Sequence, residues 1–466
     1  MIRGGFYPEA GGLMFTKDKA FYKSFVTLSL ALMAEQAVIL SVNLADNVML
    51  GSYSESALSG VAAVNQIQFV LQQLVYGVSN GVIVLGSQYW GQRRPDVVKK
   101  LAAIGLWCNL AITLLLFLLV SLFPYGALSL FTSDTEIAGQ GVAYLGIMRF
   151  SYMCFGLTAV MLSTMRIAET VKIALQVSIL SLVINVGINF LLIPGRFGLP
   201  EMGVRGAAIG TLTARVIEFM VVAHYLFRKE KKLCMRPADC LHIDRQMFRD
   251  YLTVSIPIIT ASILWGVSNA VQTMILGHMD NSAIAAQSIS ATLFLLLKVT
   301  SVGAASAASV IIGQTIGTGE MDRVKDYTRT LQILFLIIGA VLALLYTIIR
   351  FPLLAMYRIS PETRTMANAF MNIQTLVIFT MSYQMPVNSG IIRGGGDTRF
   401  MMNLDIISQL IMYPLALAGA FLLGWPPVVI LFIVNSDQIF KCIPAFIRVN
   451  SYKWVKHLTR TSPSET

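Results

Sequence analysis

Twelve apolar stretches, each long enough to cross a bilayer as a helix, dominate this sequence of 466 residues. They lie near 25–51, 60–87, 101–124, 138–164, 173–194, 204–227, 252–277, 283–311, 330–349, 368–391, 400–423 and 426–446. At about 1.5 Å per residue, roughly twenty residues span the hydrocarbon layer, where backbone polar groups are satisfied only inside helices or closed barrels. The pattern predicts an all-α integral membrane protein with twelve transmembrane helices. The composition agrees, with 56% hydrophobic and 13% charged residues. The net charge of +11 does not imply a nucleic-acid partner, because the basic residues fall in short segments between spans rather than along one domain.

Those segments alternate. Lys17, Lys19 and Lys23 precede the first span, Arg93, Arg94, Lys99 and Lys100 follow the second, and Arg166 and Lys172 follow the fourth. Further groups run from Arg228 to Arg249, from Arg323 to Arg329, and at Arg393 and Arg399. Basic loops face the cytoplasm, so a multi-pass protein of the cell membrane is expected, with both termini cytoplasmic. The N-terminal stretch has no compact apolar core behind a basic head, so the first span should be an anchor, not a cleaved signal.

The sequence also repeats itself. At an offset of 226, DNVMLGSYSESALSG (46–60) lies over QTMILGHMDNSAIAA (272–286), and GSQYWGQRRPDVVKK (86–100) over IGQTIGTGEMDRVKD (312–326). Gly51, Gly77, Gln88 and Gly91 then match Gly277, Gly303, Gln314 and Gly317. Two parallel six-helix lobes around a central cavity follow. The expected division is a cytoplasmic segment 1–24, an N-lobe 25–227, a linker 228–250, a C-lobe 251–447 and a cytoplasmic tail 448–466.

Chemistry is expected first in the span from Phe25 to Gly51, which carries Glu35 and Asp46. Eleven residues bring the two acids back to one helix face, roughly 16 Å apart along the axis. A carboxylate facing lipid costs about 2.5 kcal/mol or more, so that face should meet protein or water, where a proton, a metal cation or a cationic substrate can reach it. Lys298, inside LFLLLKVTSVG, falls near the depth of Glu35. It is read either as an interlobe latch with Glu35, as a constitutive pair, or as a snorkelling or substrate-facing lysine.

The acid ahead of MLG in the first span, the GSQYWGQ exit of the second and IIRGGGDTRF after the tenth together resemble the multidrug and toxic compound extrusion (MATE) family, over residues 25–447. The resemblance implies a secondary antiporter, not an enzyme, that expels organic cations in exchange for inward Na⁺ or H⁺ and needs no other cofactor. It places the family's first-helix acid on Asp46 and its fifth-helix motif on Asn185 and Asn189 of NVGIN. Four residues apart on a helix, these amides share a face, and their oxygens could help Asp46 hold Na⁺. Where some members carry a Glu in the seventh helix and an Asp in the tenth, this chain has Trp265 and Ser382, and the repeat partner of Asp46 is Gln272. Coupling is therefore expected in the N-lobe, with Glu35, Lys298, Asn43, Gln272 and Trp265 as candidate cavity or gating residues, in a protein acting as a monomer.

Other readings are weaker in residue content. A flippase for a lipid-linked sugar or other amphiphile needs several basic cavity residues, and Lys298 alone suggests itself. GVSNG matches the GxSxG pattern at Ser79 but sits inside a span with no histidine suitably placed. Cys234, Cys240 and His242 lack a CxxC pair and a fourth metal ligand. Arg215 with Glu218, and Asp437 with Lys441, are spaced to pair with each other.

Overall fold

The computed structural model describes residues 15–460, apart from Leu130, Ser133, His242, Asp280 and Arg358. Most of the expected N-terminal segment and the end of the tail therefore lie outside the described residues. The N-terminal half comprises α1 (Lys19–Tyr53), α2 (Glu55–Gly91), α3 (Pro95–Leu122), the short α4 (Pro124–Leu128), α5 (Thr135–Met148), α6 (Ser151–Ile167), α7 (Lys172–Leu192) and α8 (Val204–His224). The second half comprises α9 (Arg245–Met279), α10 (Asn281–Thr318), α11 (Met321–Met356), α12 (Pro361–Met385), α13 (Thr398–Phe421), α14 (Pro427–Asn435), α15 (Asp437–Phe440) and α16 (Cys442–Asn450). Among the described residues there is no strand.

Among the described residues ten helical stretches are long and apolar enough to cross a membrane, and the pair α5 and α6, bent by 54°, makes an eleventh when counted as one span. The expected span 368–391 is α12 with the π-helical turn Pro386–Ile392. It is more polar than the others because its polar groups are used internally. Gln374 accepts from the Tyr346 hydroxyl at 2.5 Å and Ser382 accepts from Ser301 at 3.0 Å. A hydrogen-bonded polar side chain inside a bundle avoids the cost it would carry in lipid.

The 226-residue repeat reappears in the element starts. α1, α2 and α3 begin at Lys19, Glu55 and Pro95, and α9, α10 and α11 at Arg245, Asn281 and Met321 (245 − 19, 281 − 55, 321 − 95). Even the caps repeat: Asp134 accepts from the Glu136 amide at 2.8 Å to start α5, and Ser360, 226 residues on, accepts from the Thr363 amide at 3.1 Å to start α12. Each supplies an acceptor to an otherwise orphaned first-turn donor.

The two lobes share their first helices. α1 packs on α7 of its own half and on α10 of the other, and α9 packs on α13 of its own half and on α2 of the other. The first turns of α1 dock on α11, where Phe21 stacks on Tyr327 at 4.4 Å and the Thr16 amide donates to Thr330 Oγ1 at 2.9 Å. The glycines matched by the repeat are the contact points. A Cβ at Gly77 would lie 2.9 Å from Ile259 Cα, and one at its partner Gly303 would lie 2.9 Å from the Ser29 carbonyl oxygen and would overlap Met33. At the end of the bundle that carries the described termini, Gly91 and Gly317 face each other: a Cβ on either would lie 3.0 Å from the other's Cα and would overlap the carbonyl oxygen of Gln314 or Gln88. Backbones touch there, which only glycine permits.

The chain after α16 then crosses this closed end. Trp454 is fully buried, and its indole N–H donates to the Val449 carbonyl at 2.7 Å. Beyond it the Lys456 amide donates to the Gly395 carbonyl at 2.9 Å, Gln88 of α2 donates to the Lys456 carbonyl at 3.1 Å and accepts from the Leu458 amide at 2.9 Å, and Arg460 forks onto Asp250 of α9 at 2.7 and 2.8 Å. The segment ties the C-lobe to α2 of the N-lobe.

Candidate functional site

The second half of α1 faces α7 and α8, and Asp46 meets them through a chain of hydrogen bonds. The Asn189 side-chain N–H donates to Asp46 Oδ1 at 2.6 Å and to Asn185 Oδ1 at 3.3 Å; the Asn185 N–H donates to Thr211 Oγ1 at 3.1 Å; and Thr211 donates to the Ala207 carbonyl at 3.1 Å. The four-residue spacing on α7 does what helical geometry requires, stacking both amides on one face. Asn185 and Asn189 are buried, while Asp46 is half-buried.

One acceptor in the cluster is unused. Asn189 Oδ1 is buried and has no hydrogen-bond partner among the described residues. It rests over Gly210 of α8, where a Cβ would overlap it. A carboxylate beside a free amide oxygen is a hard-oxygen donor set of the kind that takes Na⁺, and the carboxylate alone can take a proton. A Gly210→Ala variant is expected to displace Asn189 from Asp46, lowering ion affinity about tenfold while changing thermal stability little. Ion titration of tryptophan fluorescence on the purified protein checks this.

A small cavity between α1, α7 and α8 opens onto this cluster. Asn43, Ser181, Asn185 and Thr211 line it, and at one side stand Arg215 and Glu218, paired at 2.8 Å. The expected Arg215–Glu218 pairing is therefore present, and so is Asp437–Lys441 at 2.9 Å. Lys441 also reaches Asp405 at 2.9 Å, so Asp405 faces a buried lysine. Lys441 is the repeat partner of Arg215 (441 − 215), and each is paired with a carboxylate in the last span of its lobe.

Glu35 and Lys298 are not brought together in this structure. Glu35, 6% exposed, pairs with Arg166 at 3.5 Å. Arg166 was expected in a loop; it ends α6 and reaches inward, and neither spacing nor composition signalled it. Lys298 instead places its ammonium 4.3 Å from the centre of the Trp265 ring. Gln272 is half-buried on α9 of the other lobe. Ser79 is buried within α2 and accepts from Asn109 at 3.4 Å, as a packing residue does. Among the described residues no three metal-ligating side chains gather, and His242 lies outside them.

The MatE family model matches residues 31–191 and again 257–418, with starts separated by the same 226 residues (257 − 31). The chain belongs to the MatE family. It is therefore a multi-pass membrane transporter, and its relatives share nearly its full length. The transporter YisQ of Bacillus subtilis is 25% identical over 87% of this chain and 88% of its own. A Thermotoga maritima protein named as a probable multidrug resistance protein, NorM, is 25% identical over 83% and 82%. Among solved structures, an outward-facing multidrug resistance MATE transporter of the MOP superfamily superposes with a TM-score of 0.82 at 16% identity, covering 94% of this chain and 99% of that one. A MOP superfamily transporter from Pyrococcus furiosus superposes at 0.79, also at 16% identity, over 96% and 100%. At such identities the structural likeness of this MatE chain speaks for its fold.

Proposed function

We propose that this protein is a secondary antiporter that expels organic cations or drugs in exchange for Na⁺ or H⁺ by alternating access. The observation that carries the reading is the Asp46–Asn189–Asn185 cluster, a half-buried carboxylate beside an unused buried amide oxygen, with the carboxylate on α1, an N-lobe helix that also packs against α10 of the C-lobe. The names of relatives such as NorM and the multidrug resistance protein MdtK of Photorhabdus laumondii lend support. A cation arriving at Asp46 changes how α1 packs on α7. Because the start of α1 docks on α11, that change shifts the balance between states open at opposite ends, and substrate binding favours the complementary state.

In this reading the closed end, where Gly91 meets Gly317 and residues 451–460 cross, is cytoplasmic, and it parts when substrate is loaded. The protein acts as a monomer in the cell membrane, and the coupling ion is its sole cofactor. Three buried basic residues, Arg166, Arg215 and Lys441, each face a carboxylate and so offer the lipid-flippase alternative no free positive charge. Ethidium uptake into inside-out vesicles tests the proposal. An imposed Na⁺ or H⁺ gradient should drive accumulation several-fold above a no-gradient control, and absence of accumulation under both gradients would overturn it.

A further inference from the structure

Lys298 is held unlike the carboxylate-paired cations of the spans. Arg166, Arg215 and Lys441 each have a carboxylate within 3.5 Å. Among the described residues Lys298 has no ion pair and no hydrogen bond; its ammonium sits over the face of Trp265, 4.3 Å from the ring centre. The indole is braced from the other lobe by Phe69 of α2, with ring centres 5.5 Å apart and planes at 45°. Trp265 remains 38% exposed, so its ring is not filled in by packing. The result is an accessible aromatic surface at the seam between the lobes, with a cation already on it.

We propose that this surface, the face of Trp265 backed by Phe69, is where the organic cation of the substrate is recognised, and that Lys298 is its tethered occupant when substrate is absent. The inference rests on the organic-cation reading above and assigns its substrate subsite. An aromatic face attracts a cation through its quadrupole, and the attraction grows as the cation is desolvated. A primary ammonium is strongly hydrated and resists desolvation, whereas an organic cation that spreads its charge over aryl or alkyl groups surrenders little water. Such a substrate displaces Lys298, and the flexible four-carbon stem lets the ammonium withdraw. When the lobes rearrange, Lys298 returns and helps expel the substrate. A site that must both load and unload needs this near-balance between occupants. Each occupant excludes the other by like charge as well as by volume.

Equilibrium binding of radiolabelled tetraphenylphosphonium to the purified, detergent-solubilised protein tests the assignment. Lys298→Met keeps the stem and removes the competing charge, and should bind the probe about tenfold more tightly, the equivalent of about 1.4 kcal/mol. Trp265→Leu should weaken binding about tenfold and abolish the gain from Lys298→Met in the double variant, while Trp265→Phe retains most of the affinity and guards against misfolding. Tetraphenylborate, of the same shape and opposite charge, should not gain from Lys298→Met. Unchanged or weaker phosphonium binding in Lys298→Met, no loss in Trp265→Leu, or no saturable binding to the wild type would each overturn the proposal. Tight tetraphenylborate binding lost in Lys298→Met would overturn it in favour of an anion-binding lysine. Binding that follows the expected order without gradient-driven transport would instead count against antiport and leave the subsite standing.

Discussion

Asp46→Asn is expected to abolish ion-gradient-driven uptake of ethidium, a fall of about 100-fold or to background, in a protein that still folds. The replacement preserves shape and one acceptor oxygen, so the Asn189 N–H retains a partner, and neither a charge nor a protonation equilibrium remains to respond to the ion. Among the described residues Asp46 is the one carboxylate hydrogen-bonded to Asn185 or Asn189 of α7. Interactions that distinguish the ion-bound from the ion-free state are what couple two ligands, and a variant equal in both states transmits nothing. Exchange of labelled for unlabelled substrate at equal concentration should be affected far less, since it needs the lobes to move but needs no ion. Loss of both activities in a folded variant would make Asp46 a structural residue. Retention of gradient-driven uptake would place coupling elsewhere.

Gly317→Ala is expected to have the second largest effect, on the conformational balance. The added methyl would overlap the carbonyl oxygen of Gln88, a backbone atom in the last turn of α2, and would lie 3.0 Å from the opposing Gly91 Cα. A flexible side chain could swing aside, but two helix backbones in contact cannot. Overpacking of this kind costs about 1–3 kcal/mol, and here it is relieved by parting the lobes at this end. A cysteine placed at Thr459, in a background free of the native cysteines, should then react with a soluble maleimide about tenfold faster than in the Gly317 parent. An unchanged labelling rate with a lowered Tm would mean that the cost is borne inside one lobe.

Much of this architecture could be read before any coordinates. The spans were legible because lipid demands long apolar helices, and the lobes because the 226-residue repeat survives at Gly77, Gly303, Gly91 and Gly317. Those four positions kept their identity where two backbones pass in contact, a requirement that tolerates no substitution. Asp46 stood out as an acid inside an apolar span, Asn185 and Asn189 came from the resemblance with helical spacing putting them on one face, and the hydrogen bonds join all three. What could not be read were partners set by three-dimensional packing between distant segments. Arg166 meets Glu35 across 131 residues, and depth along a helix cannot choose a partner among several helices at that depth. Lys298 was legible as an oddity, but the face of Trp265 that receives it depends on how α9 turns within the lobe. Residues 451–460, polar and short, gave no sign that they cross from one lobe to the other.

The central claim is that one ion and one organic cation are thermodynamically linked through Asp46. The affinity of the purified protein for tetraphenylphosphonium, measured at rising Na⁺ and separately at falling pH, tests it without a membrane. Linkage requires that an antiported ion weaken substrate binding by the same factor by which substrate weakens binding of the ion. The account predicts a fall in phosphonium affinity of about fivefold or more with one of the two ions in the wild type, and none in Asp46→Asn. An affinity independent of both ions in the wild type, or a dependence that persists in Asp46→Asn, would contradict it.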